Sequence, residues 1–228
     1  NGCLQCGSCM TGCQFNAKNT LPKNYLGLAE SAGAEVFPMT TATKIQQLED
    51  GRWKITTTKT NDPFGSRGKT FFANEVIIAA GTYNTQKLLH KMKDSGVLPL
   101  LSDQLGELSR TNSEALTGAL MKNTDIDFSQ GSAITSSFFP DEHTHIEPVR
   151  YGKGSNLMGL LQTIMTDGSS SKLRRKQWWK AFFANPYLLK RILDVRKWSE
   201  RTVIALTMQN VDSYISVKPK RSWFGWHL

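Results

Sequence analysis

Residues 75–89, EVIIAAGTYNTQKLL, restrict the fold of this chain more than any other stretch. Val76, Ile77, Ile78, Ala79 and Ala80 form a short uninterrupted apolar run, the pattern of a parallel strand buried on both faces. Gly81 lets the backbone turn and approach something closely, and Thr82 or Asn84 can cap the helix that Lys87, Leu88 and Leu89 continue. Open parallel sheets bind cofactors where strand C-termini meet helix N-termini. A sharp turn without a ligand is the other reading. The ligand reading requires the Gly81 tip to face a cofactor cleft, not open solvent.

The 228 residues suffice for one large domain or parts of two. The chain opens on Asn1 with no signal-peptide pattern, and no apolar run approaches the roughly 18 residues that span a bilayer. An internal portion of a cytoplasmic protein, in peripheral contact with membrane at most, is expected. The formal charge of +9 is unevenly placed: residues 172–201 hold ten Lys or Arg and two acids, which accounts for +8 of it. That segment begins KLRRKQWWKAFFANPYLLKR, with Trp178, Trp179, Phe182 and Phe183 among the cations and Pro186 as a helix break. Rings and cations on one amphipathic element suit an anionic membrane surface. A helix docked on its own domain is the alternative, and no recognised nucleic-acid-binding fold accompanies the patch.

Cys3, Cys6, Cys9 and Cys13 are all the cysteines present, spaced C-x2-C-x2-C-x3-C, with Gln14 where a ferredoxin-type run continues with Pro. Metal or iron–sulfur ligation, buried reduced thiols and disulfides all remain open for this glycine-punctuated loop.

Residues 22–32 read as a helix with Tyr25, Leu26, Leu28 and Ala29 on one face and Gly33 as its stop. Residues 36–45 and 53–60 alternate as strands joined by a hairpin turn at Glu49, Asp50 and Gly51. Residues 61–69 are a loop. Its Gly68-Lys69-Thr70 ending is no P-loop, since Pro63 stands where that motif needs glycine. Gly96 ends the next helix and Pro99 prevents its resumption. Composition changes near 106–112, where a domain boundary is placed. On a strand, His143 and His145 would share a face and could share a zinc ion; a solvated loop beside Pro140 is the plainer reading. Leu157, Met158, Leu160, Leu161, Ile164 and Met165 repeat at the spacing of a core-facing helix. Residues 202–209 and 213–218 suggest paired strands of an antiparallel sheet, and Trp223, Phe224 and Trp226 need a cover.

Several segments together resemble the glucose-methanol-choline (GMC) oxidoreductases, most closely their bacterial cholesterol oxidase-like branch. They are CMTGC at 9–13 running into AKNTL at 17–21, residues 76–89, LGEL at 105–108 with RTNSE at 110–114, and HIEP at 145–148 with RYGKGSN at 150–156. The resemblance implies an α/β FAD-binding domain with a Rossmann-like parallel sheet, covering 1–108. It implies an α+β substrate domain with an antiparallel sheet over 109–228, into which the basic aromatic helical segment 172–201 is inserted. It also implies steroid or other lipid alcohol oxidation, hydride passing from a 3β-hydroxysterol to flavin. In that family Ala42 falls where backbone meets the adenine, Gly81, Thr82 and Tyr83 where the chain passes the flavin end, and Asn112 where it approaches the isoalloxazine.

Two departures accompany the likeness. The family's Gly-x-Gly-x-x-Gly and its C-terminal His and Asn pair are not among these residues. The substrate-domain carboxylate of some members falls near 154–156, where none exists, leaving Glu147 as a nearby substitute. The chain alone is therefore expected neither to hold FAD tightly nor to turn over. Some GMC dehydrogenases carry an iron–sulfur cluster near a Cys-rich run, which would give Cys3, Cys6, Cys9 and Cys13 that role. A non-enzymatic iron–sulfur or membrane-binding module is the competing function.

Overall fold

The computed structural model describes residues 2–62, 65, 67–122, 125–223 and 225–228. In chain order the helices and strands are α1 (Tyr25–Ser31), β1 (Thr40–Gln47), β2 (Trp53–Lys59), β3 (Thr70–Ala73), α2 (Gly81–Asp94), β4 (Ala115–Leu120) and β5 (Thr144–Val149). There follow α3 (Ser171–Ala184), α4 (Pro186–Leu193), α5 (Trp198–Arg201), β6 (Thr202–Gln209), β7 (Lys220–Ser222) and β8 (Gly225–His227). They belong to two units, one of residues 1–25 and 112–212, the other of 26–111 and 213–228. The sequence reading keeps 1–108 together. The structure sends the Cys-rich loop elsewhere, because Gly7 N–H donates to Gly131 O at 2.7 Å and Gly131 N–H to Gln5 O at 2.6 Å.

In the second unit β1, β2 and β3 form an antiparallel meander. The predicted hairpin is present: Leu48 N–H donates to Arg52 O at 2.8 Å, Gly51 takes φ +84°, and Asp50 accepts from the Arg52 backbone N–H. Strand β3 went unread in the sequence. Once it closes the meander, residues 76–80 leave the sheet without a strand partner, and Ile77 is 91% exposed. The expected buried parallel strand is thus absent among the described residues, where every paired strand is antiparallel and one isolated parallel bridge joins Cys6 to Gly131. A strand buried on both faces needs a hydrogen-bonded neighbour and covering layers. These residues have neither. Helix α2 packs on β1, with Ile45 and Met92 buried and Ile45 N–H directed at Met92 Sδ at 3.5 Å. It stops as predicted, with Gly96 at φ +69°. Helix α1 lies where expected, but its apolar face is open, Tyr25 and Leu28 being exposed.

In the first unit β6 lies between β4 and β5, antiparallel to both. Residues 213–218 do not pair with β6 as the sequence suggests, because both of its edges are taken. They return to the other unit, where Ile215 and Ser109 exchange backbone hydrogen bonds. The helix expected over 157–165 is a 3-10 turn, Asn156–Leu161, with Leu157, Leu160 and Leu161 outward. Its inward residue is Gly159, tucked against the indole of buried Trp198. Pro186 breaks the basic segment as predicted: Asn185 ends α3, and its side chain accepts from Leu188 N–H to start α4. No helix among the described residues is long and apolar enough to cross a membrane. Pro63 and Phe224 lie outside the described residues, so the P-loop argument and the middle ring of the terminal aromatic cluster have no structural counterpart here. Trp226 Nε1–H donates to Asp94 at 2.9 Å, while Trp223 is exposed.

Candidate functional site

Ala42 lies on β1 beside a β-bulge, where the register shifts between Ala42 and Lys44 and the extra residue, Thr43, donates through Oγ1 to Thr56 O at 3.2 Å. Strand β1 is an edge of its sheet, and Ala42 is exposed. A bulge re-aims the backbone, so a ligand could meet the main chain there.

Gly81, Thr82 and Tyr83 form the exposed first turn of α2. A Cβ on Gly81 would meet nothing within 4 Å, and φ there is +74°. Backbone conformation, not crowding, therefore calls for glycine. The N-cap is Ala80, so neither Thr82 nor Asn84 caps the helix; no side chain does, and the first turn holds no acid. Its N–H groups lack intrahelical acceptors and suit an anionic group. The tip nonetheless faces solvent among the described residues, so the walled cleft expected at that point is not formed by them. Tyr83 is exposed, with Lys87 Nζ 5.8 Å from its ring centroid.

Asn112 leads into β4. Its backbone O accepts from Gln209 N–H at 3.1 Å, and its carboxamide donates to Glu114 at 2.7 Å. Gln209 also donates through Nε2 to Thr144 Oγ1 at 3.3 Å, so one residue of β6 ties Asn112 and the start of β5 to the same end of the sheet. Glu147, further along β5, is opposite Leu206. Its side chain is 20% exposed, and its carboxylate stands 3.4 Å from His145 Nε2. That nitrogen is shielded from solvent and within ion-pair distance, yet no hydrogen bond forms. The His145 ring stacks on Phe139 at 4.6 Å with 7° between planes. Across β6 the neighbours of His145 and Glu147 are Met208 and Leu206. A carboxylate and an imidazole on one strand face, flanked by uncharged residues, can hold and pass a proton. Sequence reasoning missed this partnership; its signal was the i, i+2 spacing on a strand.

His143 turns elsewhere. Its Nδ1 is 2.9 Å from Asn210 Oδ1 and its Nε2 3.4 Å from Glu142, so the two histidines do not share a ligand position. Nor do the cysteines gather. Cys3 is exposed, Cys6, Cys9 and Cys13 are half-buried, and all four are free. Among the described residues no group of three or more His, Cys, Asp or Glu could hold a metal ion, so the iron–sulfur expectation is not supported. Cys13 Sγ instead accepts from Ala17 N–H at 3.3 Å. The backbone N–H groups of Lys18 and Ala17 hold its thiol below the ordinary value. The loop is fixed by close backbone approach: a Cβ on Gly7 would run into Ser129 O, and one on Gly152 into Ser8 Oγ.

Residues 1–99 match the GMC oxidoreductase family. Cholesterol oxidase from Mycobacterium tuberculosis, in strains CDC 1551 / Oshkosh and H37Rv, is 53% identical over 230 residues, covering 98% of this chain and 40% of the relative. Cholesterol oxidase from Acinetobacter baumannii is 40% identical over 227 residues, covering 97% of this chain and 41% of the relative. The chain spans about two fifths of the length of these curated relatives. The family match at its start and the relatives along almost all of its length carry one conclusion: residues 1–99 are a GMC oxidoreductase segment, in a chain similar throughout to part of two cholesterol oxidases.

Proposed function

We propose that the chain forms part of an FAD-dependent oxidoreductase acting on the CH–OH group of a sterol, a 3β-hydroxysteroid. The observation that carries this reading is the 53% identity to a cholesterol oxidase across 98% of the chain. The Gly81 tip faces solvent and does not meet the cleft condition set by the sequence, so it does not carry the reading; what the α2 N-terminus, uncapped and free of acid, and the bulged edge at Ala42 offer the cofactor is backbone chemistry alone. Gly81, Thr82 and Tyr83 would present backbone N–H groups to an anionic portion, Ala42 its main chain to the adenine, and Asn112 would approach the ring system. FAD, when bound, supplies the two-electron acceptor for such an oxidation. On this reading the part up to residue 108 serves the cofactor and 109–228 the substrate, with 1–25 packing beside 112–212 and 213–228 beside 26–111.

Oxidising a secondary alcohol to a ketone requires a place for the hydroxyl proton. Glu147 is the carboxylate we assign to it, with His145 Nε2 3.4 Å away on the same strand face. The half-buried strand face keeps most water away from both groups.

The test uses the full-length holoenzyme. Flavin absorbance should bleach on anaerobic addition of a 3β-hydroxysterol, whereas a colourless protein, or one whose flavin does not bleach, would overturn the reading. Glu147→Gln should retain flavin and lower kcat by about 10²–10⁴-fold, the usual scale of a general base. An unchanged kcat would remove Glu147 from the role.

A further inference from the structure

We propose that α3 and α4 form a docking surface for a bilayer containing anionic phospholipid. The four rings of α3 divide into two pairs. Trp178 and Phe182 are half-buried, and Trp178 Nε1–H donates to Thr163 Oγ1 at 2.7 Å. Trp179 and Phe183, one turn apart, stack on each other at 5.7 Å and remain 49% and 74% exposed. One pair anchors the helix to its unit. The other is left to solvent, continued by exposed Tyr187 at the start of α4.

The charge is equally uncommitted. Lys172, Arg174, Arg175, Lys176, Lys180 and Lys190 are all exposed, and none forms an ion pair among the described residues. The two acids of the segment are engaged elsewhere, Asp194 with Arg196 and Arg201, and Glu200 with Ser199 Oγ. In α3 the cations crowd the first turns and the rings the last, so charge and apolar surface separate along the axis and not around it. The helix is therefore not the amphipathic element the sequence suggests; its exposed rings can reach headgroup depth at one end while the cations at the other meet lipid phosphate.

Two features favour lipid over other partners. The chain segment bonded to Trp178 also carries Met165, and Leu161 precedes it; both are strongly exposed. Aliphatic side chains enter an acyl layer but offer bases nothing to stack on. A second copy is disfavoured because the chain outside 172–201 is nearly neutral and could not match six free cations. Such a surface would bring the protein to a lipid alcohol, so its purpose rests on the sterol reading above.

Sedimentation of the full-length holoenzyme with vesicles tests the proposal without any turnover. Phosphatidylcholine vesicles should capture little, and vesicles that also contain phosphatidylserine should capture most at low salt and much less at high salt. The variant K172Q/R175Q/K176Q should bind the anionic vesicles on the order of a hundredfold more weakly, about fivefold per cation. W179S/F183S, which alters only exposed side chains, should also weaken binding. Equal capture by neutral and anionic vesicles would overturn the proposal, as would wild-type capture of either variant, tighter binding to a random DNA duplex, or a dimer lost in W179S/F183S. Failure of the sterol reading would appear differently, as a holoenzyme whose flavin is not bleached while vesicle capture is intact.

Discussion

Asp194 shows how much one side chain organises. It closes α4, and its carboxylate takes Arg196 Nε and Nη2 at 2.8 and 3.1 Å and approaches Arg201 at 3.8 Å. Its side chain's hydrogen bonds from Arg196 bring its pKa from an ordinary 3.8 down to about 2. A depressed carboxylate contributes stability that is present above the unfolded value and lost as pH falls through the folded one. Asp194→Asn should therefore lower Tm at neutral pH, and the gap from wild type should close between pH 3.8 and about 2. A Tm difference constant across that window would contradict this. Gly7 is a residue of another kind. With φ at +71° and Ser129 O where a Cβ would stand, Gly7→Ala must strain or shift the Cys-rich loop. A loss of about 2 kcal/mol or more is expected, read as a lower urea midpoint at unchanged slope.

Among elements, the Asn156–Leu161 turn and α5 form a close junction in the first unit. Trp198 is buried over Gly159 and donates through Nε1 to Gln162 Oε1 at 2.9 Å. Ser199 N–H donates to Asn156 Oδ1 at 3.2 Å, and its hydroxyl, 3.1 Å from the same oxygen, is 2.7 Å from Glu200. Trp198→Ala should cost about 3–5 kcal/mol, the range for emptying a buried indole site. Trp198→Phe should recover most of it, short of roughly 1 kcal/mol for the lost hydrogen bond. Denaturation curves of the two variants measure both. The elements that could be read from sequence are those fixed by local chemistry: the hairpin at Asp50 and Gly51, the stop at Gly96 and the break at Pro186. Those misread depend on neighbours far along the chain. Residues 76–80 have the composition of a buried strand but no strand beside them. Residues 157–165 have helical spacing, yet Trp198 selects Gly159 as the inward residue. Of the candidate site, the unusual backbone at Gly81 was legible because glycine announces it. The closeness of His145 to Glu147 went unread, although their i, i+2 spacing puts them on one face of any strand that spans both.

For the whole molecule, large apolar side chains lie exposed in both units, among them Ile77 and Leu100 in one and Leu161 and Met165 in the other. Among the described residues the buried apolar side chains are few: Ile45, Met92, Ala133, Val149 and Trp198. The chain should accordingly bind a hydrophobic dye such as ANS without denaturant. Dye fluorescence no higher than that of a compact globular control would contradict this surface. The family likeness was legible at this scale because it rests on several separate segments in order, and it survives the loss of any one structural expectation.

The closure of the second unit also has a consequence for biosynthesis. Glu107 and Ser216 are bonded across 109 residues, and Val217 N–H reaches back to Gly106 O. At ribosomal speeds that separation is a wait of about 5–20 s. Throughout it the main chain at Gly106 and Ser109 stands as an unclaimed edge while the intervening hundred residues emerge, which is the interval when a chaperone has most to shield.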